Sequence, residues 1–159
     1  MDASSDLFET TQCLCLASRR AARAITRRFD RELSPHGIRA TQFTLLSALS
    51  LKGPSTIGDL AERLGADRTT LTRNLAVAGA RGLVSIAAGE DARSRLAAIT
   101  PEGRRILTEA FAAWRRVQAS LTDALGDEAA QGLRRLSDGP SLARRSEAHP
   151  RHRLETRAG

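Results

Sequence analysis

A mainly α chain carrying a small β-wing is the fold that three features of this sequence predict. Between Thr56 and Thr100, two short amphipathic segments separated by a tight break precede two β-prone runs around a charged, Gly-containing tip. Long stretches with apolar residues at steps of three and four lie on both sides of that block. Aromatic residues make up only 3% of the chain and Tyr is absent, so a core must be built mostly of Leu, Ala, Val and Ile. Helix, turn, helix and hairpin in that order make a winged helix-turn-helix, which is built to present its second helix to a DNA major groove.

The first helix is expected from about Asp6 to Leu33. Leu14, Ala17 or Ser18, Ala21, Ile25 and Phe29 or Arg28 form its apolar seam, while Arg19, Arg20, Arg23, Arg27, Arg28 and Arg31 crowd the remaining surface. Ser34-Pro35-His36-Gly37 stops it, because Pro35 disfavours helix in its predecessor and Gly37 permits a left-handed turn. A second helix follows from about Thr41 to Leu51, with Phe43, Leu45, Leu46 and Leu49 on a wide apolar face and Gly53-Pro54 at its end. Thr56 reads as the N-cap of a third helix, with Asp59 three residues on and Leu60, Ala61 and Leu64 facing inward; Gly65 closes it. Asp67 caps a fourth helix whose buried stripe is Leu71, Leu75 and Ala78.

Leu83–Ala87 and Arg95–Ile99 read as paired strands, with Gly89-Glu90-Asp91-Ala92-Arg93 as the tip between them. Thr100-Pro101-Glu102 is a helix start: a cap, Pro at the first position, then an acid near the positive end. The long helix that follows, to about Leu125, keeps Ile106, Ala110, Ala113 or Trp114, Val117, Leu121 and Ala124 or Leu125 on one face. A short last helix spans Asp127 to Leu136, with Leu133 and Leu136 apolar. Beyond Asp138 periodicity ends, and the Arg-, Pro-, His- and Ser-rich tail is expected to be disordered.

The 159 residues carry 25 Lys and Arg against 18 Asp and Glu, a net charge of +7 that suits an acidic partner such as nucleic acid. The tail from Gly139 to Gly159 holds five Arg and two Glu, so +3 of that excess resides there. No apolar run approaches the roughly 20 residues of a membrane span. The N-terminus is acidic rather than basic, unlike a signal peptide, and a cytoplasmic protein with no membrane contact is expected. Two cysteines, Cys13 and Cys15, make no disulfide framework. No Gly-rich phosphate loop, G-x-S-x-G or H-E-x-x-H occurs, so neither an enzyme nor a cofactor is expected.

Two sets of residues then point to DNA. Arg68, Thr69, Thr70, Thr72, Arg73 and Asn74 project from the N-terminal half of the fourth helix. Arg can read guanine O6 and N7, Asn can read adenine N6 and N7, and Thr hydroxyls hold phosphates. The competing reading is a solvated polar face; the capped helix before it and the wing after it favour DNA. At the tip, Asp91 can hold the Arg93 guanidinium extended toward a narrow minor groove, and Arg95 is near enough to meet a phosphate. The plain alternative there is a polar turn with a weak surface ion pair. Phe111 and Trp114, at helical spacing, read as core rather than as an effector pocket.

Taken together, ATQFTLLSAL, IGDLAERLGADRTTLTRNL, RGLV, GEDARSR and LAAITPEGRRI resemble the MarR family of winged-helix regulators, over about residues 6 to 136. The resemblance implies a homodimer joined by its first and last helices, bound to double-stranded DNA at a pseudo-palindromic operator. It implies repression relieved by a small ligand or by cysteine oxidation, with Arg68, Thr69, Thr70, Thr72, Arg73 and Asn74 contributed to DNA contact by the recognition helix and Asp91, Arg93 and Arg95 by the wing. It divides the chain into a single domain over 1–138, with a DNA-binding lobe at about 41–100 and dimerisation helices at about 6–34 and 101–136, followed by the basic tail 139–159. The chain departs from the family in the uncharged Ser85-Ile86-Ala87 after GLV and in Ser137-Asp138-Gly139-Pro140, which cuts the last helix short.

Cys13 and Cys15 resemble a Cys-x-Cys placed early in the first helix of some of these regulators. Positions i and i+2 of an ideal helix lie about 200° apart, so both thiols can serve one site only where the helix frays or across a dimer. They are candidates for an oxidant or thiophilic-metal sensor. The alternative is one small core residue and one incidental thiol. No structural metal site is expected, since His36, His149 and His152 are far off in sequence. The competing functional class is a winged-helix module that docks protein without specific DNA binding. Against it stands the Arg, Thr and Asn surface of the reading helix, where a protein-docking face is more apolar and aromatic.

Overall fold

In the computed structural model, residues 10–89 and 94–138 are described, and the chain divides into two compact units, 1–120 and 121–159. The first unit begins with a 3₁₀ turn at Thr10–Gln12 and then α1, Leu14–Leu33. The expected start near Asp6 is corrected: Cys13 is extended (φ −59°, ψ 116°) and the α-helix begins after it. No side chain caps its first amides and no acid occupies its first turn. The last part of α1 is anchored by Leu33, which is fully buried. A 3₁₀ turn at Ser34–His36 leads to α2, Ala40–Lys52. Two side chains take up its leading amides: Arg39 N–H donates to Gln42 Oε1 at 3.0 Å, and Ala40 N–H donates to Asp30 Oδ1 of α1 at 2.8 Å. Gln42 is itself buried, and it is satisfied by this bond.

A two-residue strand, β1 (Ser55–Thr56), precedes α3, Ile57–Leu64, and α4, Arg68–Ala80. Thr56 caps α3 by accepting from Asp59 N–H at 3.1 Å. Gly65 ends α3 at φ 57°, a left-handed conformation that disfavours a side chain, and so sets the turn between the two helices. Leu60, Leu71, Leu75 and Ala78 are fully buried with Leu45, Leu46 and Leu49 of α2 in one apolar cluster. Each fully buried Leu contributes roughly 1.5–3 kcal/mol relative to exposure.

The wing strands are β2, Val84–Ala88, and β3, Arg95–Ile99. β2 runs one residue later than the sequence pattern indicates. They pair antiparallel with Val84 opposite Ile99 and Ile86 opposite Ala97. The third strand was not foreseen: β1 pairs with the other edge of β3, Ser55 opposite Ala97 and Thr56 opposite Leu96, giving the order β1-β3-β2. Thr100 ties the wing to the next helix, α5 (Pro101–Leu125). Its hydroxyl donates to the Gly82 carbonyl at 2.6 Å and accepts from Gly103 N–H at 3.0 Å. Within the first unit, Ala110, Ala113 and Val117 are the buried positions of α5 beyond Gly103. Trp114 stacks on Phe43 and on Phe111, ring centroids 5.7 and 5.5 Å away; it is partly buried against the core, but Phe111, expected in the core, is 47% exposed.

In the second unit, α6 runs Asp127–Asp138, two residues past the expected end, with Ala130 buried and Leu133 and Leu136 exposed. The basic tail 139–159 lies outside the described residues. No helix among the described residues is long and apolar enough to cross a membrane.

Candidate nucleic-acid interface

α4 separates its residues cleanly around the helix axis. Leu71, Leu75 and Ala78 point into the core, so Arg68, Thr69, Thr72, Arg73 and Ala76 are left on the opposite side, where they line a shallow open concavity. The amino end is locked. Asp67 Oδ1 accepts from Thr70 N–H at 2.8 Å, and its Oδ2 accepts from the Thr70 hydroxyl at 2.6 Å. These two bonds, the hydroxyl first, hold the Asp67 carboxyl below its ordinary range. Thr72 is also engaged, donating its hydroxyl to the Arg68 carbonyl at 2.7 Å. Thr69, Arg68 and Arg73 therefore carry the donors of this face that have no hydrogen-bond or ion-pair partner among the described residues.

Thr70 and Asn74 stand on a flank rather than at the centre of the face. Both border a cavity of about 270 Å³ with Thr26 of α1, Thr41, Thr44 and Leu45 of α2, and Leu64, Ala66 and Leu71. Asn74 is half-buried there. The cavity wall is hydroxyl, amide and methyl, without a charged group. Thr26, Thr41 and Thr44 gave no sequence signal of this, because single Thr residues on helices read as ordinary surface.

At the wing, Gly89 N–H donates to the Ser94 carbonyl at 2.9 Å, closing the described part of the hairpin. Arg95 opens β3 and is exposed. Asp91 and Arg93 lie outside the described residues.

Cys13 and Cys15 are both free and exposed. Neither thiol is buried within a single copy of the chain. Cys13 stands just ahead of α1 in extended backbone and Cys15 in its first turn, so the 200° separation of an ideal helix does not apply to the pair. Among the described residues, no group of three or more His, Cys, Asp or Glu gathers to hold a metal ion.

These features can be set beside known proteins. The family model that matches is that of the MarR family, over residues 36–94. A transcriptional regulator of Mycobacterium tuberculosis, MosR, solved in complex with DNA, is 41% identical; the match covers 83% of this chain and 98% of that one, with a TM-score of 0.74. The apo form of wild-type MarR from E. coli is 25% identical, covering 78% of this chain and 93% of that one, with a TM-score of 0.62. An uncharacterized HTH-type transcriptional regulator of Bacillus subtilis (strain 168), YwoH, is 29% identical over 85 residues. That stretch is 54% of this chain and spans about three fifths (62%) of the length of this curated relative. With the helix-turn-helix and the first wing strand inside the matched region and a 41%-identical relative covered almost end to end, the chain belongs to the MarR family of winged-helix transcriptional regulators.

Proposed function

We propose that this chain is a cytoplasmic, homodimeric repressor that binds a pseudo-palindromic DNA operator with α4 in the major groove and the wing beside it. The observation that carries this reading is the exposed face of α4. Its amino end is capped, its apolar side is anchored, and Arg68, Thr69 and Arg73 stand on the solvent side with no side-chain hydrogen bond or ion pair among the described residues. MosR, which shares this fold at 41% identity, was solved with DNA. Arg93 and Asp91 extend the same reading to the wing tip, and Arg95 to a backbone phosphate. The dimer is supported by apolar side chains left in water: Leu14 is 85% exposed and Leu125 44%. The division of labour follows, with residues of about 41–100 reading DNA and those of about 6–34 and 101–136 joining two copies.

The test is selection of duplexes from the source genome, followed by titration of the selected operator and of random DNA at low and high salt. Tight binding that survives salt on the operator alone is expected. Equal, salt-labile binding to both duplexes sinks the sequence-specific reading and leaves the protein-docking alternative.

Release of the operator by a small ligand, an oxidant or a thiophilic metal completes the proposal. Cys13 and Cys15 are the sensor candidates, since both thiols are exposed at the start of a helix assigned to the dimer. Oxidation would join the two Sγ atoms, passing two electrons to a peroxide-class oxidant and releasing two protons. Titration of the native protein with peroxide or arsenite should lower operator affinity, and Cys13→Ser and Cys15→Ser should each abolish the response at unchanged basal affinity. A response that persists in both variants removes the cysteines from the mechanism.

A further inference from the structure

Gly58 lies in the first turn of α3, at a position where the backbone does not require glycine. It is not among the residues with positive φ, and a glycine within a helix is less stable than alanine there. What a side chain there would meet is the arginine above it. A Cβ at Gly58 would lie 3.2 Å from Nη2 and 3.9 Å from Cζ of Arg68, and 3.7 Å from Thr56 Oγ1. The Arg68 guanidinium therefore lies over the bare backbone of α3, although Arg68 belongs to α4. No acidic group among the described residues holds it there, because the ion pairs found all belong to Arg105. Arg68 also borders the concavity formed with Thr69, Thr72, Arg73 and Ala76.

We propose that Gly58 is a positioning residue for DNA reading: it provides the floor on which the Arg68 guanidinium lies, and so aims a planar fork of N–H donors at the operator. The inference rests on the DNA-reading function of α4 proposed above. A guanidinium seated on a floor has fewer rotamers to lose on binding, and its fixed fork suits bidentate recognition. A side chain at position 58 pushes the head group away while disturbing little else, since the displaced atoms are the far end of a flexible chain.

The experiment is a double-mutant cycle on operator affinity, with thermal unfolding followed in parallel. Gly58→Ala should leave the unfolding midpoint unchanged or raised and weaken operator binding. Gly58→Val, which displaces the guanidinium further, should weaken it by roughly fivefold or more, the lower end of what the loss of a base-reading arginine costs. In an Arg68→Ala background neither substitution should weaken binding further. Equal losses in both backgrounds would overturn the proposal, since Gly58 would then act on DNA or on the fold without Arg68. Full affinity in Gly58→Val, or in Arg68→Ala alone, overturns it as well while leaving operator binding by α4 intact. Failure of the native protein to bind any duplex overturns it together with the function on which it rests.

Discussion

At the scale of single residues, the reading face divides into side chains held by the protein and side chains left for a partner. Arg73 is of the second kind: exposed, unpaired among the described residues, and opposite the buried Leu71–Leu75 stripe. Arg73→Ala should weaken operator binding by roughly 1–3 kcal/mol and relax preference at one base position per half-site. Equal losses on operator and random DNA would show that it meets only phosphate. Asp67 is of the first kind, and its role has a pH signature. Its carboxyl is held below the ordinary range by the Thr70 hydroxyl and N–H, so the charged form is favoured in the folded chain. The cap's contribution is therefore complete above the ordinary carboxylate range. It is lost as pH falls through that range to the lower folded value. Asp67→Asn should flatten this acid limb of the unfolding midpoint, and Asp67→Ala should lower the midpoint at neutral pH by about 2–4 °C; an unchanged acid limb in Asp67→Asn would assign the dependence to another carboxylate. The caps at Thr56 and Asp67 were legible because a local spacing specifies them. The flank position of Asn74 was not, since it depends on Thr26, 48 residues earlier, standing across the cavity.

At the scale of elements, the long helices and the helix-turn-helix were readable because each carries its own apolar period, whereas β1 was not. Two residues show no alternation, and Ser55–Thr56 becomes a strand only through pairing with Ala97 and Leu96, far along the chain. The wing's attachment is likewise tertiary. Thr100 was legible as a cap, yet its hydroxyl also holds the Gly82 carbonyl, and the backbone amide of Thr100 donates to the Leu83 carbonyl at 3.1 Å. Gly103 permits this approach: a Cβ there would overlap the Leu83 carbonyl oxygen and stand 3.0 Å from Ile99 Cγ1. Those neighbours are backbone and a packed core side chain, so they cannot yield as a flexible arginine can. Gly103→Ala should destabilise the fold by roughly 1–3 kcal/mol, measured by denaturant unfolding, because overpacking shifts the α5 start from the wing strands. A neutral result would mean that the helix start slides without cost and that the wing is not braced by it. Gly58→Ala is the natural control, since it adds the same methyl group to the first turn of another helix, α3.

At the scale of the whole molecule, the apolar side chains that find no cover are as informative as those that do. Leu14 at 85% exposure, and Leu125, Leu133 and Leu136 at 44%, 47% and 61%, belong to the terminal helices, while Leu51 at 83% and Val77 at 49% are exposed on α2 and α4. The sequence marked Leu14, Ile25, Leu121 and Leu125 as seam positions but could not say whether their seams close within one copy, because periodicity specifies a face and not its partner. Ile25 and Leu121 are half-buried, Leu14 remains largely in water, and Leu125 is 44% exposed. A second copy of the chain would cover them, and a two-fold dimer would set its reading helices about 34–36 Å apart on one side of the duplex. Light scattering at micromolar concentration should give the mass of a dimer, and Leu14→Asp with Leu125→Asp should give a monomer that keeps its helical content. Operator affinity should then fall steeply toward that for an isolated half-site, because the second reading helix no longer acts at the high effective concentration of a linked partner. The loss should be greatest on a duplex with both half-sites and absent on one with a single half-site. A monomeric variant that binds the full operator as tightly as the native protein would show that one copy reads the site alone.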